Sequence, residues 1–400
     1  MEPGWIVSVD DHVVEPPGVW QDRLPQKYKE EGPRIVREAE GEFWVYEGKR
    51  FPMDLLEIAA GRSPEKIHEQ TTAASRPGKF ESGGAASFDD MRPGCYDPVA
   101  RVQDMDRDHV AASMLFPSFP RFCGQTFNEG TDRELALLCV RAWNDWMTEE
   151  WSATAPGRFI PLVILPLWDP RAAAAEIERC AEKGARAFAF SENPTKLGLP
   201  SIHDRFRYWD PVFKAANDTQ TVVAIHLGSS SQLSRTADDA PAIITTAWHG
   251  GVAASGAMLD FLFSGLLFRM PDLKIFLAEG GIGWMPYYLN QAEYFYRLYP
   301  GKTADGFPAG ADLRQLFRDH IYGCVIVEPT TPNETAEIGV LGEDNVMIET
   351  DYPHASSSWP HSIENAERYL EGLEEPARVK VMGANACRVL RFEAATVPAA

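Results

Sequence analysis

The 400-residue chain has no two cysteines at a C-x-x-C spacing; its six, Cys95, Cys123, Cys139, Cys180, Cys324 and Cys387, are scattered. That argues against a thiolate zinc site and for a reducing compartment. Cations are also in deficit, 38 Lys and Arg against 58 Asp and Glu, for a formal net charge of −20. A surface so negative does not track phosphates, which sets nucleic acid aside as a partner. No apolar run is long enough to span a bilayer, and no basic-then-apolar start resembles a signal peptide. The most apolar stretch, Ala253 to Phe268, is interrupted by Gly256, Asp260 and Gly265 and reads as a buried helix. A cytoplasmic protein with no membrane partner is expected. Finally, no G-x-G-x-x-G turn follows the first apolar run.

What is present is an alternation. The first strand is Trp5 to Val9, and residues 16–98 then form a proline- and glycine-rich insertion. It holds one expected hairpin, Glu42 to Met53 turning at Glu47-Gly48, and a flexible composition at Ser82 to Ser87. A loop this long inside a domain is usually functional, so it is expected to be a lid or an oligomer contact. From Asp97-Pro98, an N-cap followed by proline, helices and strands alternate. Strands are expected at Ala111–Pro117, Phe159–Leu167, Ala185–Phe190, Thr221–Leu227, Leu273–Ala278, Ile321–Val327 and Val346–Thr350. Helices are expected at Thr131–Ser152, Asp169–Lys183, Arg205–Asn217, Ala240–Met270, Trp284–Leu298 and Thr335–Leu341, with two more in the C-terminal 362–392 stretch. Eight strands each followed by a helix predict a single-domain α/β fold, a (β/α)8 TIM barrel with a long insertion after the first strand. A doubly wound open sheet is the alternative.

In such barrels chemistry gathers at the C-terminal strand ends. The first strand ends in Asp10 and His12, which strand alternation turns to one face while Asp11 takes the other. The second runs into Phe119-Pro120-Arg121, the third into Trp168 and the fourth into Asn193. The later four end in His226, Glu279, Glu328 and Asp351, with His354 just beyond. Ionisable groups closing apolar strands are costly unless paired or bound to metal. Asp10, His12, His226 and Asp351 make a nitrogen–oxygen set for one divalent ion, zinc first and manganese second. The bland readings are a strand stop for Asp10, a core histidine for His226 and a loop cap for Asp351.

The segments SVDDHVVEPP, AIHLG, FLAEGGIGWMPY, ETDYPH and MGANACRVLRF together resemble the amidohydrolase-related family. Its relevant branch contains aminocarboxymuconate-semialdehyde decarboxylase and gamma-resorcylate decarboxylase. The resemblance implies a mononuclear metal on Asp10, His12, His226 and Asp351, a carboxylated aromatic or dienoic substrate, and a homodimer. Two departures stand out. Asp10 occupies a position usually held by His or Glu, and Glu279 replaces a sixth-strand histidine.

A carboxylate at Glu279 suits general-base work on activated water, with His354 as its partner in proton transfer and Asp351 as a further acid or base. Hydrolysis of a small carbonyl substrate is therefore the favoured expectation. Decarboxylation at the same site, with Asp351 as the proton donor, is the close alternative. A barrel that binds metal or ligand without turnover is the third, and a nicotinamide or flavin enzyme resting on Gly280 to Gly283 is the weakest. Arg121 is assigned to a substrate carboxylate, and Trp168 and Trp284 to the flanks of a ring. His249 is assigned either to the site or to a helix end.

Overall fold

The computed structural model describes residues 4–39, 41–53, 87–304, 306–326, 334–354 and 356–395. Glu328 and, within the 16–98 insertion, residues 40 and 54–86 lie outside them. The strands are β1 (Ile6–Val13), β2 (Arg34–Glu38), β3 (Gly41–Tyr46), β4 (Lys49–Pro52), β5 (Val110–Pro117), β6 (Phe159–Ile160) and β7 (Leu162–Val163). They continue as β8 (Ala187–Phe190), β9 (Val222–His226), β10 (Ile275–Ala278), β11 (Ile321–Ile326) and β12 (Val346–Glu349).

Nine of these form one sheet in the order β6-β5-β1-β12-β11-β10-β9-β8-β7, and every pairing within it is parallel. The two ends of that order, β6 and β7, are halves of one chain run separated only by Pro161. Proline has no N–H for a ladder, so the run breaks there, pairing β5 with its first half and β8 with its second. The sheet thus closes on itself as an eight-stranded barrel. The expected strand Phe159–Leu167 is correspondingly shorter and split.

The crossovers are helical, and their starts follow from sequence-local chemistry. Helix α1 (Pro98–Arg107) is capped by the Asp97 carboxylate, which accepts from the Ala100 amide at 2.7 Å. Helix α2 (Arg133–Asp145) is capped by Asp132, and α3 (Pro170–Glu182) by Asp169 with proline in its first turn. Helix α4 (Asp210–Thr219) begins five residues later than the expected Arg205 start, because proline at its first turn fixes the entry. Helix α5 (Ala242–Phe263) stops at Gly265, whose φ of 69° no other residue adopts cheaply. Helix α6 (Met285–Leu298) follows β10, and α7 (Leu313–His320), absent from the sequence expectation, precedes β11. No described helix is long and apolar enough to cross a membrane.

The insertion holds more order than its composition suggests. β2, β3 and β4 form an antiparallel sheet, so the expected hairpin gains a third strand. The hairpin turns at Glu47 (φ 46°) and Gly48 (φ 70°), both left-handed as a tight two-residue turn demands. Glu47 tolerates that conformation while its carboxylate accepts from the amides of Thr131 and Asp132 at 2.8 and 2.7 Å. The turn is thereby pinned to the start of α2. Trp44, fully buried, packs its ring against Trp20 and Phe119, placing this small sheet over the β1–β5 side of the barrel mouth.

Candidate metal centre

β1 brings Asp10 and His12 to the barrel interior, and alternation sends Asp11 the other way. Asp11 accepts from Ser8 Oγ (3.1 Å), Thr350 Oγ1 (2.6 Å), the Tyr352 amide (3.0 Å) and Ser113 Oγ. Its charge is spent tying β1 to β5 and to the turn after β12. Buried Arg101 donates to the carbonyls of Gly94 and His12 from below. The first-strand pair is therefore mounted on a backbone held from both sides.

His226 ends β9 and lies in register with Ala278 of β10, so Glu279 emerges one residue beyond. Glu279 has φ 55° and Asp351 φ 53°, left-handed conformations rare for residues bearing a Cβ. Hydrogen bonds hold both turns: the Glu279 amide donates to the two Glu349 oxygens (3.1 and 3.0 Å), and the Asp351 amide to the Asp10 carbonyl (2.9 Å). Such strain, about 1–3 kcal/mol per residue, persists where surrounding structure over-determines it. Here it turns two carboxylates back over the mouth.

The result is a compact donor set. His226 Nε2 lies 3.3 Å from Asp10 Oδ2, 3.3 Å from His12 Nε2 and 3.4 Å from Glu279 Oε2. His12 Nε2 lies 3.7 Å from Asp10 Oδ1 and 3.4 Å from Asp351 Oδ1. The ligand atoms of Asp10, His12 and His226, and those of His12, Asp351 and His354, each fall within 4.8 Å of one another. Ligands about 2.1 Å from one ion at near-tetrahedral angles stand about 3.4 Å apart, which is the spacing found.

Two further observations fit an ion. Both carboxylate oxygens of Asp10 are buried without a hydrogen-bond donor, a state that costs free energy unless a cation supplies the missing charge. His226 Nδ1 meets the Leu227 carbonyl at 2.5 Å, which fixes its proton there and leaves the Nε2 lone pair facing the cluster.

Electrostatics agree. Burial raises the Asp10 carboxyl well above its ordinary range, and the charges of Glu349, Glu279 and Asp351 raise it further. Burial and the neighbouring His354 lower His12 to about 4, and burial together with His12 lowers His226 well below the usual range. Both imidazoles are neutral at pH 7, the form that binds metal. Burial pushes Asp351 upward, but His354 and hydrogen bonds from His12 and His354 more than offset it and hold Asp351 ionised. His354 Nδ1 lies 2.9 Å from Asp351 Oδ1, and its ring stacks on His12 at 3.8 Å.

Beside the cluster opens a cavity of about 220 Å³ whose wall includes His12, His354, Arg121, Phe122, Trp44 and Phe51. Arg121, expected to meet substrate, is on this wall; it pairs with Glu129 at 2.5 Å and donates to Ser231 Oγ at 3.1 Å. The other assigned residues stand elsewhere. Trp168 packs under the Arg133 guanidinium, 4.8 Å from its ring centre. Trp284 donates to the Gly280 carbonyl at 2.7 Å and so braces the turn carrying Glu279. His249 is buried on α5, accepting from the Ser234 amide at 2.9 Å with Nε2 3.9 Å from Glu192, an interior position rather than a helix end. Of the two residues expected as a pair, Glu279 approaches His226 and His354 approaches Asp351.

Two residues of the site were given no role from the sequence. Phe122 stacks on His226 at 4.0 Å and 9° while also walling the cavity; only its place one residue past Arg121 hinted at it. Glu349, fully buried, orients Glu279 through its amide. The inward parity it shares with Asp351 was the available signal.

Comparison with known proteins bears on this geometry. Gamma-resorcylate decarboxylase of Polaromonas sp. is 26% identical over 299 residues, 73% of this chain and 86% of that protein. An amidohydrolase of Mycobacterium avium subsp. paratuberculosis superimposes with a TM-score of 0.74 at 20% identity, covering 98% of this chain and all of that one. A dihydroxybenzoic acid decarboxylase from Polaromonas sp., solved with manganese and the inhibitor 2-nitroresorcinol, gives a TM-score of 0.61 at 19% identity over 97% of each chain. The sequence profile of the amidohydrolase family itself matches residues 41–392. With that match spanning most of the barrel, this chain belongs to the amidohydrolase family.

Proposed function

We propose that the protein is a divalent-metal-dependent decarboxylase that releases carbon dioxide from a small carboxylated aromatic acid. One observation carries the reading: a buried set of two neutral imidazoles and two carboxylates, both oxygens of Asp10 lacking a donor, opens onto a cavity walled in part by Phe and Trp rings. The decarboxylases among its relatives support carbon–carbon cleavage over the hydrolysis that the sequence favoured. Asp10, His12, His226 and Asp351 would hold the ion. Their mixed nitrogen and oxygen donors admit manganese, bound in one structural neighbour, as readily as zinc. Once bound, the ion would polarise the substrate carboxylate and an adjacent oxygen.

The chain's own residues do the rest. Phe122 and Phe119 pack the ring, and Arg121 stands on the wall to steer an acid toward the cluster. The Asp351–His354 pair, 2.9 Å apart, holds the proton that reaches the ring carbon as the bond to the carboxylate breaks. The bonding electrons stay on the carbon, the proton joins them, and carbon dioxide leaves. The β2–β4 sheet acts as a fixed part of the lid, and a homodimer in the cytoplasm completes the reading.

A second reading, hydrolysis, is favoured by Glu279. Its Oε2 stands 3.4 Å from His226 Nε2, where a general base for water would stand. The test is elemental analysis of protein purified without chelator, followed by carbon dioxide release from hydroxybenzoates. One bound divalent ion per chain with carbon dioxide release is expected. Ester or amide turnover without carbon dioxide would overturn the decarboxylase reading in favour of hydrolysis.

A further inference from the structure

Among the described residues, the exposed large apolar side chains do not gather on the insertion, where the sequence places a lid or an oligomer contact. They gather on α6 and the start of α5. Along α6, Tyr287, Tyr294 and Leu298 recur at helical spacing with Phe295 and Tyr299 beside them, each 49–60% exposed. The rings are ordered against one another: Phe295 and Tyr299 lie parallel at 6.3 Å, and Tyr294 meets Phe295 edge-on at 5.2 Å. Helix α5 runs alongside. A Cβ at its Gly251 would meet the Trp284 ring at 3.3 Å, and Phe263 faces Tyr296 with ring centres 6.4 Å apart. Ile244, Trp248 and Gly251 share one face of α5, so Ile244 and Trp248, both 41% exposed, lead onto the α6 stripe.

Area and charge decide what covers this face. A large side chain offers about 150–250 Å² in all, so each half-exposed one presents about 100 Å² and the face about 700 Å². That exceeds the largest apolar patch of a typical monomer, about 300–600 Å², and approaches the ~800 Å² per partner of a standard interface. The face is also nearly free of charge in a chain of net charge −20. The first two turns of α5 carry none, and on α6 Glu293 is tied to Arg314 at 2.8 Å, which leaves Arg297. In a twofold contact a patch meets itself, so any charge would face its own sign. An acidic chain therefore self-associates best through an uncharged, aromatic strip. A basic partner protein would seek carboxylates instead, and an anionic membrane would repel the chain. We infer that this face joins two copies of the chain about a twofold axis, α6 against α6, with the start of α5 at the rim. The inference rests on the homodimer of the proposed reading, whose surface it names, and is independent of the reaction.

Sedimentation equilibrium of the manganese-loaded protein tests this. Wild type should be a dimer at micromolar concentration. The double variant Tyr294→Glu, Leu298→Glu sets carboxylates against their own copies and should weaken self-association by about a hundredfold or more. Its circular dichroism and its one bound ion per chain should not change, since both side chains are exposed. Val99→Glu alters a comparably exposed residue on α1 and should leave the dimer intact. A dimer that survives the double variant overturns the surface and keeps the homodimer. Wild type that stays monomeric, or that binds phosphatidylglycerol vesicles instead of itself, overturns both. If the double variant does not fold, hydrogen exchange of wild type decides. Amides of 285–299 should exchange more slowly as concentration rises through the dimer transition, and exchange there that ignores concentration overturns the surface. Carbon dioxide release is scored separately, so decarboxylation can fail while the dimer stands.

Discussion

Asp351 is the residue on which most interactions converge. It ends β12 in a left-handed turn, faces His12 and His354, and also accepts from Ser356 Oγ. Asp351→Asn keeps the shape but removes the charge that pairs with His354. Carbon dioxide release should fall by about 10²–10⁴-fold, with weaker metal binding by titration and near-native circular dichroism. Glu15, three residues beyond His12, has a different part. It is fully buried and accepts from Trp143 Nε1 (2.8 Å) and from the amides of Ser118 and Phe119 (3.1 and 2.9 Å). It thereby fixes the loop that carries Arg121 and Phe122. Burial raises its carboxyl from 4.5 to about 7 despite those donors. Because the folded value lies above the unfolded one, this contribution is full below pH 4.5 and is lost as pH rises through about 7. The loss amounts to about 3 kcal/mol. Thermal melts of the metal-loaded protein should show Tm falling between pH 5 and 8, and Glu15→Gln should flatten that slope. An unchanged slope would remove Glu15 as its cause.

At the scale of elements, the site depends on what happens just past each strand. After β9, Gly228 has φ 81°, and a Cβ there would approach the Phe122 ring to 3.0 Å. Gly228→Ala should push Phe122 off His226 and destabilise the fold by about 1–2 kcal/mol. A lower Tm together with weaker metal binding would be read out; metal affinity equal to wild type would deny Phe122 its role in fixing the imidazole. Gly323 in β11 meets a different limit. A Cβ at that position would sit 2.7 Å from Ile282 and 2.8 Å from Met285, where α6 enters against the sheet. Gly323→Ala should cost about 1–3 kcal/mol by overpacking, measured by denaturant unfolding, and leave the metal stoichiometry at one.

For the whole molecule, the consequence of gathering Asp10, Glu279, Glu349 and Asp351 into one barrel mouth is burial, the larger cause, together with mutual repulsion, and both raise the Asp10 carboxyl. A bound cation relieves the repulsion and adds stability by mass action. Chelation should therefore abolish turnover and lower Tm by several degrees, and restoring manganese should recover both. A Tm indifferent to chelator would mean that the cluster is stable without an ion. The same logic makes the stabilisation pH-dependent, because protonating the ligands competes with metal.

The sequence by itself determined the periodic part of this protein. Alternating apolar runs and Asp-Pro caps at Asp97 and Asp169 announced strands and helices, and their number announced a barrel. Strand parity separated Asp10 and His12 from Asp11, and motif order placed His226, Glu279 and Asp351 at the ends of the fifth, sixth and eighth strands. These signals are local, since each depends on residues within a few positions of one another. Closure of the sheet through the run broken at Pro161 was decided by pairing between segments far apart in the chain. The third strand of the inserted sheet and the helix Leu313–His320 also emerged only with the fold. So did the separation of Trp168, Trp284 and His249 from the cavity, and the arrival of Phe122 and Glu349 at the site. Whether a side chain faces a cavity or a neighbouring helix depends on backbone turns such as those at Glu279 and Asp351. Those turns are held by hydrogen bonds to Glu349 and Asp10 on nearby strands far apart in sequence, which no window along the chain contains.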